Sequence, residues 1–304
     1  MSHTFEVKIL GVNSAVPVYD RHPSCQIVNF NNRLMMVDCG EGSQMQLQKY
    51  KVKRGKIDHI FISHLHGDHC FGLPGLITSY SLGNRKDTLY LHGPVGIKPF
   101  IQSILKYSGS HINFPFEICE YEHDSYAEIE VSQNMLVKTF PLKHRIPTIG
   151  FRFQEIITKK NIKSSEIERY NISIEEIKAI QLGEDIIRDG KVITNENLTL
   201  ADKLPRSYSY CSDTIYDESI VKHIANSTLL YHETTYLDDL KHLADERYHT
   251  TLGGAIAIAK LSNIDRLITG HYSSRYNDIS IFEEEGKKQL EGILLGKEGR
   301  TYTV

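Results

Sequence analysis

Long apolar runs are missing from this chain of 304 residues, and none approaches the ~20 needed to span a bilayer. The amino terminus, MSHTFEVKIL, has no basic region followed by an apolar stretch, so no signal peptide is expected. Cysteine is scarce. Cys25, Cys39, Cys70, Cys119 and Cys211 are odd in number and form no CxxC pair, which argues against a disulfide framework and a thiolate zinc finger. A reducing, cytoplasmic compartment is therefore expected. Excess positive charge is also absent: the net charge is −3 at pH 7 and the pI about 6.6, so any polyanion would need a local patch. No low-complexity segment and no repeat with a period of roughly 20–50 residues is found.

What is present is an ordinary water-compatible composition, 40% hydrophobic and 24% charged. FEVKIL (5–10), CQIVNF (25–30), RLMMVD (33–38) and IDHIFIS (57–63) read as strands from their β-branched and alternating content, and 41–52 as a helix. GLPGLITSYSL and PVGIKPFIQSILKY read as helices flanking the strand TLYLHG, with Pro94 in a first helical turn. MLVKTFPL and TIGFRFQ predict two more strands. Residues 155–206 are charged and helix-prone, with no proline before Pro205, and read as an insertion or protruding arm, not a second core. The α/β rhythm then resumes with SYSYCSDT, a helix near 216–224, STLLYHE, a helix near 253–261, DRLITGH and a final helix in IFEEEGKKQLEGIL. The expectation is a single domain over 1–304, a sandwich of two sheets with helices outside.

The polar clusters fall just past apolar runs, where layered α/β folds build their sites. His64-Leu65-His66-Gly67-Asp68-His69 places three imidazoles and a carboxylate in six residues. Imidazole with carboxylate and no thiolate is a ligand set for catalytic zinc or a similar cation. The short loop cannot complete two coordination shells, so further ligands must come from elsewhere. His144, Asp213 and His271 each follow an apolar run. Alone, each has an ordinary role as a core or capping residue; together they supply the missing groups.

These motifs resemble the metallo-β-lactamase superfamily and, within it, the ribonuclease Z family of tRNA 3′-processing endoribonucleases. The resemblance is carried by SAVP (14–17), DCGEGSQMQL (38–47), IDHIFISHLHGDHCFGLPGL (57–76), PLKHRI (141–146), SDT (212–214), HET (232–234), HTT (249–251) and GHYSSRY (270–276). It implies an αββα sandwich with two zinc ions, one held by His64, His66 and His144, the other by Asp68, His69 and His271, with Asp213 bridging them. It also implies that Asp68 accepts a proton from the attacking water. It further implies precursor tRNA as substrate, removal of its 3′ trailer to leave a 3′-hydroxyl and a 5′-phosphate, and a homodimer. The family's arm is glycine- and proline-rich at its tip. Here YNISIEEIKAIQLGEDIIRDGK is acidic, with Gly183 and Gly190 only, and Lys159, Lys160 and Lys163 lie nearer its base.

A leaving oxygen needs a proton. His249 precedes the helix-prone TLGGAIAIAK, where the dipole disfavours imidazolium, and Glu233 of YHETT can offset this. His249 is thus the candidate general acid and Glu233 the group that orients it. Arg275, with Ser273 and Ser274, is the candidate phosphate contact, because the guanidinium fork matches phosphate oxygens. KYKVKRGK (49–56), Lys143 and Arg145 offer more cations, expected on the rim of the cleft. Three rivals share parts of this pattern: a phosphodiesterase for other RNA, cyclic nucleotides or small diesters; a silent RNA-binding subunit; and a secreted β-lactam hydrolase.

Overall fold

Strand residues alternate between two apolar environments, and that alternation builds the molecule. The computed structural model describes residues 4–200 and 204–304. By compactness the chain forms two units, one of residues 1–129, 137–153 and 207–304, the other of 130–136 and 154–206.

In the larger unit, one sheet runs in the order Thr301–Thr303, Phe5–Gly11, Cys25–Phe30, Arg33–Cys39, Ile57–Phe61, Leu89–Pro94, Phe116–Tyr121. Its last four strands are parallel. The second sheet runs Ile293–Leu295, Leu267–Gly270, Leu229–Glu233, Ser207–Cys211, Thr148–Glu155, Met135–Leu142, Glu128–Ser132, and its first four strands are parallel. Along Ile57–Phe61 the period of two sends Ile60 and Ile62 to one face, where they join Leu73, Leu76, Ile77, Ile97 and Ile101 of two covering helices. Phe61 points the other way and meets Phe151 and Phe153 of the second sheet, ring centroids 5.3 Å apart in both cases. The result is the expected αββα sandwich. Parallel strands align their carboxyl ends, so the loops after residues 39, 61, 211, 233 and 270 gather along one edge. The site is there.

Several local expectations are corrected. Pro94 does not start a helix: it ends a strand, in register with Tyr121, where a missing N–H does least harm to the ladder. The helix follows at Ile97–Tyr107, after Gly96 turns the chain at φ 108°. The final helix is confined to Ser280–Lys287, and Ile293–Leu295 pairs with Leu267–Thr269 as a parallel edge strand. The strands Phe116–Tyr121, Glu128–Ser132 and Thr301–Thr303 were not expected. Near 216–224 there is a single 3₁₀ turn at Glu218–Ile220 running into Val221–Ile224.

The smaller unit contains helices Ser164–Arg169 and Ile174–Gln181 and a hairpin of Ile186–Arg188 with Lys191–Ile193. Against expectation it has a small apolar cluster of its own, Ile172, Ile180, Ile186 and Leu198. Ser173 and Glu176 form a reciprocal capping box at the second helix, and Glu176 also takes the Arg188 guanidinium at 2.7 Å. Among the described residues no helix is long and apolar enough to cross a membrane.

Candidate metal centre

Asp38 organises the histidine loop. It ends a strand, is fully buried and sits at φ 55°. Its carboxylate accepts the Ser63 N–H at 2.8 Å and the Ser63 hydroxyl at 3.0 Å, which fixes the chain one residue before His64. It also accepts the Tyr210 hydroxyl from the second sheet at 2.6 Å and lies 2.8 Å from His69 Nδ1. Two glycines allow the loops to close. A Cβ on Gly72 would stand 2.2 Å from the Gly40 carbonyl oxygen, and one on Gly40 2.4 Å from that of Asp68. The loop then turns into the short helix Gly67–Cys70, which carries Asp68 and His69.

Seven side chains converge from four strand ends. His66 Nδ1 lies 3.1 Å from His64 Nε2 and 3.2 Å from His144 Nε2, and Asp213 Oδ2 is 3.6 and 3.7 Å from those two Nε2 atoms. On the other side, His69 Nε2 and His271 Nε2 are 3.3 Å apart. Asp68 Oδ2 is 3.6 and 3.4 Å from them, and Asp213 Oδ1 3.4 and 3.2 Å. Asp213 thus gives one oxygen to each group.

The hydrogen bonds behind these rings decide which nitrogens hold lone pairs. His144 Nδ1 donates to the Tyr248 carbonyl at 2.9 Å, and His69 Nδ1 to Asp38. The Ser63 hydroxyl spends its proton on Asp38, so its oxygen accepts from His64 Nδ1 at 3.0 Å. The Thr235 hydroxyl donates to Glu233 Oε2 at 2.6 Å, so its oxygen accepts from His271 Nδ1 at 2.9 Å. Each ring therefore turns an Nε2 lone pair inward, the usual arrangement behind metal-bound histidine. Buried lone pairs facing one another repel, and Asp213 Oδ1 is buried with no hydrogen-bond partner.

Electrostatics point the same way. Burial holds His64 and His66 below the ordinary histidine range and brings His144 to about 4, so these three are neutral donors. At His69 burial works against charge, but Asp213, Asp68 and Asp38 outweigh it and raise the pKa well above the ordinary value. The centre calls for positive charge where two carboxylates meet the His69 and His271 nitrogens. A metal cofactor fits both groups.

Next to this centre, His249 Nδ1 lies 3.0 Å from Glu233 Oε1. Glu233 is buried and also accepts N–H groups from Thr250 (2.8 Å), Thr214 (3.2 Å) and Thr235 (2.9 Å), so three loops share one carboxylate. Burial opposes charge on His249, yet Glu233 prevails and raises its pKa. The His249 ring stands 5.1 Å from that of His144 and 5.4 Å from that of His271.

Comparison with known proteins places this arrangement. The chain is 40% identical to a ribonuclease Z of Porphyromonas gingivalis over 97% of both chains, and 39% identical to one of Bacteroides fragilis, again over 97% of both. The chain belongs to the ribonuclease Z family. Among solved structures, human tRNase Z, short form, matches with a TM-score of 0.71 at 26% identity, covering 98% of each chain. The metallo-β-lactamase fold protein YhfI of Bacillus subtilis shares the fold, with a TM-score of 0.69 at 16% identity over 99% of this chain and all of that one. Residues 5–158, about half of the chain, also belong to the family described as anti-Pycsar protein Apyc1. That match includes the histidine loop and His144 and ends before Asp213, Glu233, His249 and His271. The ribonuclease Z relationship spans them all.

The remaining candidates fall unevenly around the ribonuclease Z centre. Ser273 is buried, with its N–H on the Thr235 carbonyl at 3.1 Å, so its first role is to hold the loop after His271. Ser274 is half-buried and Arg275 exposed. The basic run 49–56 is not on the rim of the site. It precedes Ile57–Phe61, whereas His64 follows that strand, so the two lie at opposite ends of the sheet. Lys143 is paired with Asp217 at 3.0 Å. Residue-type reasoning missed Asp38 and Thr235, which hold His69 and His271 from behind. It missed also the Ala15 N–H, which donates to Asp68 Oδ2 at 2.8 Å. DCGEG, SAVP and HETT were visible as motifs, but nothing in them announced these roles.

Proposed function

We propose that this chain is a zinc-dependent endoribonuclease that removes the 3′ trailer from precursor tRNA, leaving a 3′-hydroxyl on the tRNA and a 5′-phosphate on the trailer. The observation that carries this reading is Asp213, one oxygen in each of two ligand groups, beside an oriented His249–Glu233 pair. His64, His66 and His144 would hold one zinc ion, Asp68, His69 and His271 the other, and Asp213 both. Two such cations, when bound, acidify a water and offset the charge that develops on the phosphate oxygens.

The residues supply the rest. Asp68, held by the Ala15 N–H, takes the proton of the attacking water. The water oxygen bonds to phosphorus as the bond to the 3′ oxygen breaks, and His249 gives that oxygen a proton. Glu233 keeps His249 charged and turned for this transfer. Arg275, with Ser274 and the loop anchored by Ser273, faces the phosphate as its contact. Residues 155–206 serve as a substrate-binding arm, and the enzyme works as a cytoplasmic homodimer.

A second reading, a phosphodiesterase acting on a small diester, would use the same seven side chains. Incubating the zinc-loaded protein with a 3′-extended tRNA and, separately, with a chromogenic phosphodiester tests both. Cleavage of the RNA to the stated ends supports the main reading. Turnover of the diester alone overturns it.

A further inference from the structure

A cavity of about 190 Å³ opens beside His249, lined among others by Tyr216, Asp238, Lys241, Asp245 and Gly254. It is smaller than the roughly 300–1,000 Å³ of pockets for whole ligands, so it suits a single ring. Its chemistry is one-sided. Helix Leu252–Leu261 begins here, but its first amide groups are taken: Leu252 N–H by the Tyr236 carbonyl at 2.9 Å, Gly253 N–H by Asp238 Oδ1 at 3.1 Å, and Gly254 N–H by Thr251 Oγ1 at 3.2 Å. Lys241 is held by both Asp245 oxygens at 2.8 and 3.0 Å. These backbone donors are therefore spent, and the Lys241 charge is balanced by Asp245.

What remains is an acceptor and an aromatic face. Asp238 Oδ2 has no hydrogen bond among the described residues, and the Tyr216 ring is tethered by its hydroxyl to Glu218 at 2.8 Å. Both approach the helix start closely: a Cβ on Gly253 would lie 2.6 Å from Asp238 Oδ2, and one on Gly254 3.4 Å from the Tyr216 ring. Gly253 lets the carboxylate close on the helix start, and the ring stands at van der Waals distance from the next residue.

We propose that this cavity receives the base of the nucleotide whose 3′ oxygen leaves, with Tyr216 stacked on the ring and Asp238 accepting a hydrogen bond from its exocyclic amine. The inference rests on the reading of His249 as proton donor to that oxygen, since the same histidine lines the cavity. Carboxylates accept from the cytosine amine in base recognition, and base–aromatic stacking is tolerant of sequence. Cytosine, adenine and guanine carry an exocyclic amine; uracil does not. Asp238 is thus a specificity residue, and the enzyme disfavours uracil immediately before the cut.

Two measurements test this with the zinc-loaded full chain: equilibrium binding of cytidine and uridine, and single-turnover cleavage of four 3′-extended tRNAs differing only in the base before the cut. Cytidine should bind about tenfold more tightly than uridine, and the uracil substrate should react about tenfold more slowly, as for one hydrogen bond lost. In Asp238→Asn the amide oxygen must still satisfy the Gly253 N–H, so the amide N–H₂ faces the cavity and the nucleoside preference inverts. Tyr216→Ala should weaken both nucleosides alike. Equal binding of the two nucleosides by the unaltered protein, or an equal change for both in Asp238→Asn, overturns the proposal. If the nucleoside preference and its inversion appear but no tRNA is cleaved, the subsite stands and the ribonuclease reading falls. Cleavage without base preference gives the converse.

Discussion

His59 and His64 leave the same stretch of chain five residues apart, and their surroundings are opposite. His59 Nδ1 meets His92 Nε2 at 2.9 Å, and His92 Nδ1 meets the Tyr121 hydroxyl at 2.9 Å. Aromatic rings complete the packing: Tyr90 stacks on His59 at 4.8 Å and Phe61 on His92 at 4.6 Å. Among the described residues no carboxylate makes a hydrogen bond to either ring, and burial brings their pKa values to about 4 and about 3. At the strand's other end, His64, His69, His144 and His271 each have one nitrogen oriented from behind while the second faces other nitrogens and Asp213. One cluster satisfies itself. The other is complete only with a cation. Histidine density therefore says little; what matters is whether the last lone pair already has a proton donor.

Asp213→Ala should break this contrast most severely. It removes the oxygens shared by both groups, so metal content should drop and tRNA cleavage fall on the order of 10³-fold or more. Plasma emission spectrometry and a cleavage assay check both, and full metal retention would remove Asp213 from the ligand set. On the proposed role of His249 as proton donor and not ligand, His249→Ala should reduce cleavage by roughly 10²–10⁴-fold with the metal still bound. Loss of metal in that variant would refute the division of roles. Asp38→Asn leaves the ligands in place but weakens the support of His69, so metal affinity should fall roughly 10–100-fold in a competition with a chelator.

The smallest effect concerns the self-satisfied pair. In the unfolded chain both rings take a proton below pH ~6.5, whereas the folded protein refuses it until about pH 4 and about pH 3. Their contribution is complete above pH 6.5 and is lost as pH falls through that window, by up to roughly 1.4 kcal/mol per pH unit for each ring. In metal-free protein, His59→Asn with His92→Gln should flatten the acid limb of a denaturant-midpoint profile. The same double substitution should leave metal stoichiometry unchanged. Metal loss on that change would mean that the two clusters are one.

Legibility followed the range of the interactions. HLHGDH was visible because its candidate ligands lie within six residues, and His144, Asp213 and His271 because each follows a hydrophobic strand. Asp38 was not, since its partners lie 25, 31 and 172 residues away and nothing local marks an acidic residue at a strand end as their shared acceptor. Thr235 was hidden likewise, acting through one hydroxyl on Glu233 and His271. The basic run was misplaced for another reason: it is near His64 in sequence, but a five-residue strand carries the chain across the sheet between them. Pro94 looked like a helix start because proline serves both roles, and only pairing with Tyr121 distinguishes them. In 155–206, Ile172 lies between two helices, Ile180 in the second, Ile186 in the hairpin and Leu198 in a further short helix, so no single periodicity displayed them.

Asp38 has one more consequence. Its contact with Tyr210 joins an early strand to one completed far later, so during synthesis from the amino end the first five candidate ligands in order, His64 to His144, emerge before the group that fixes their backdrop. A nascent chain halted near residue 158 would carry the recognisable motif and most of one sheet, yet lack the tyrosine, the shared aspartate and the last histidine. Competence arrives late and all at once, when the carboxyl-terminal sheet docks.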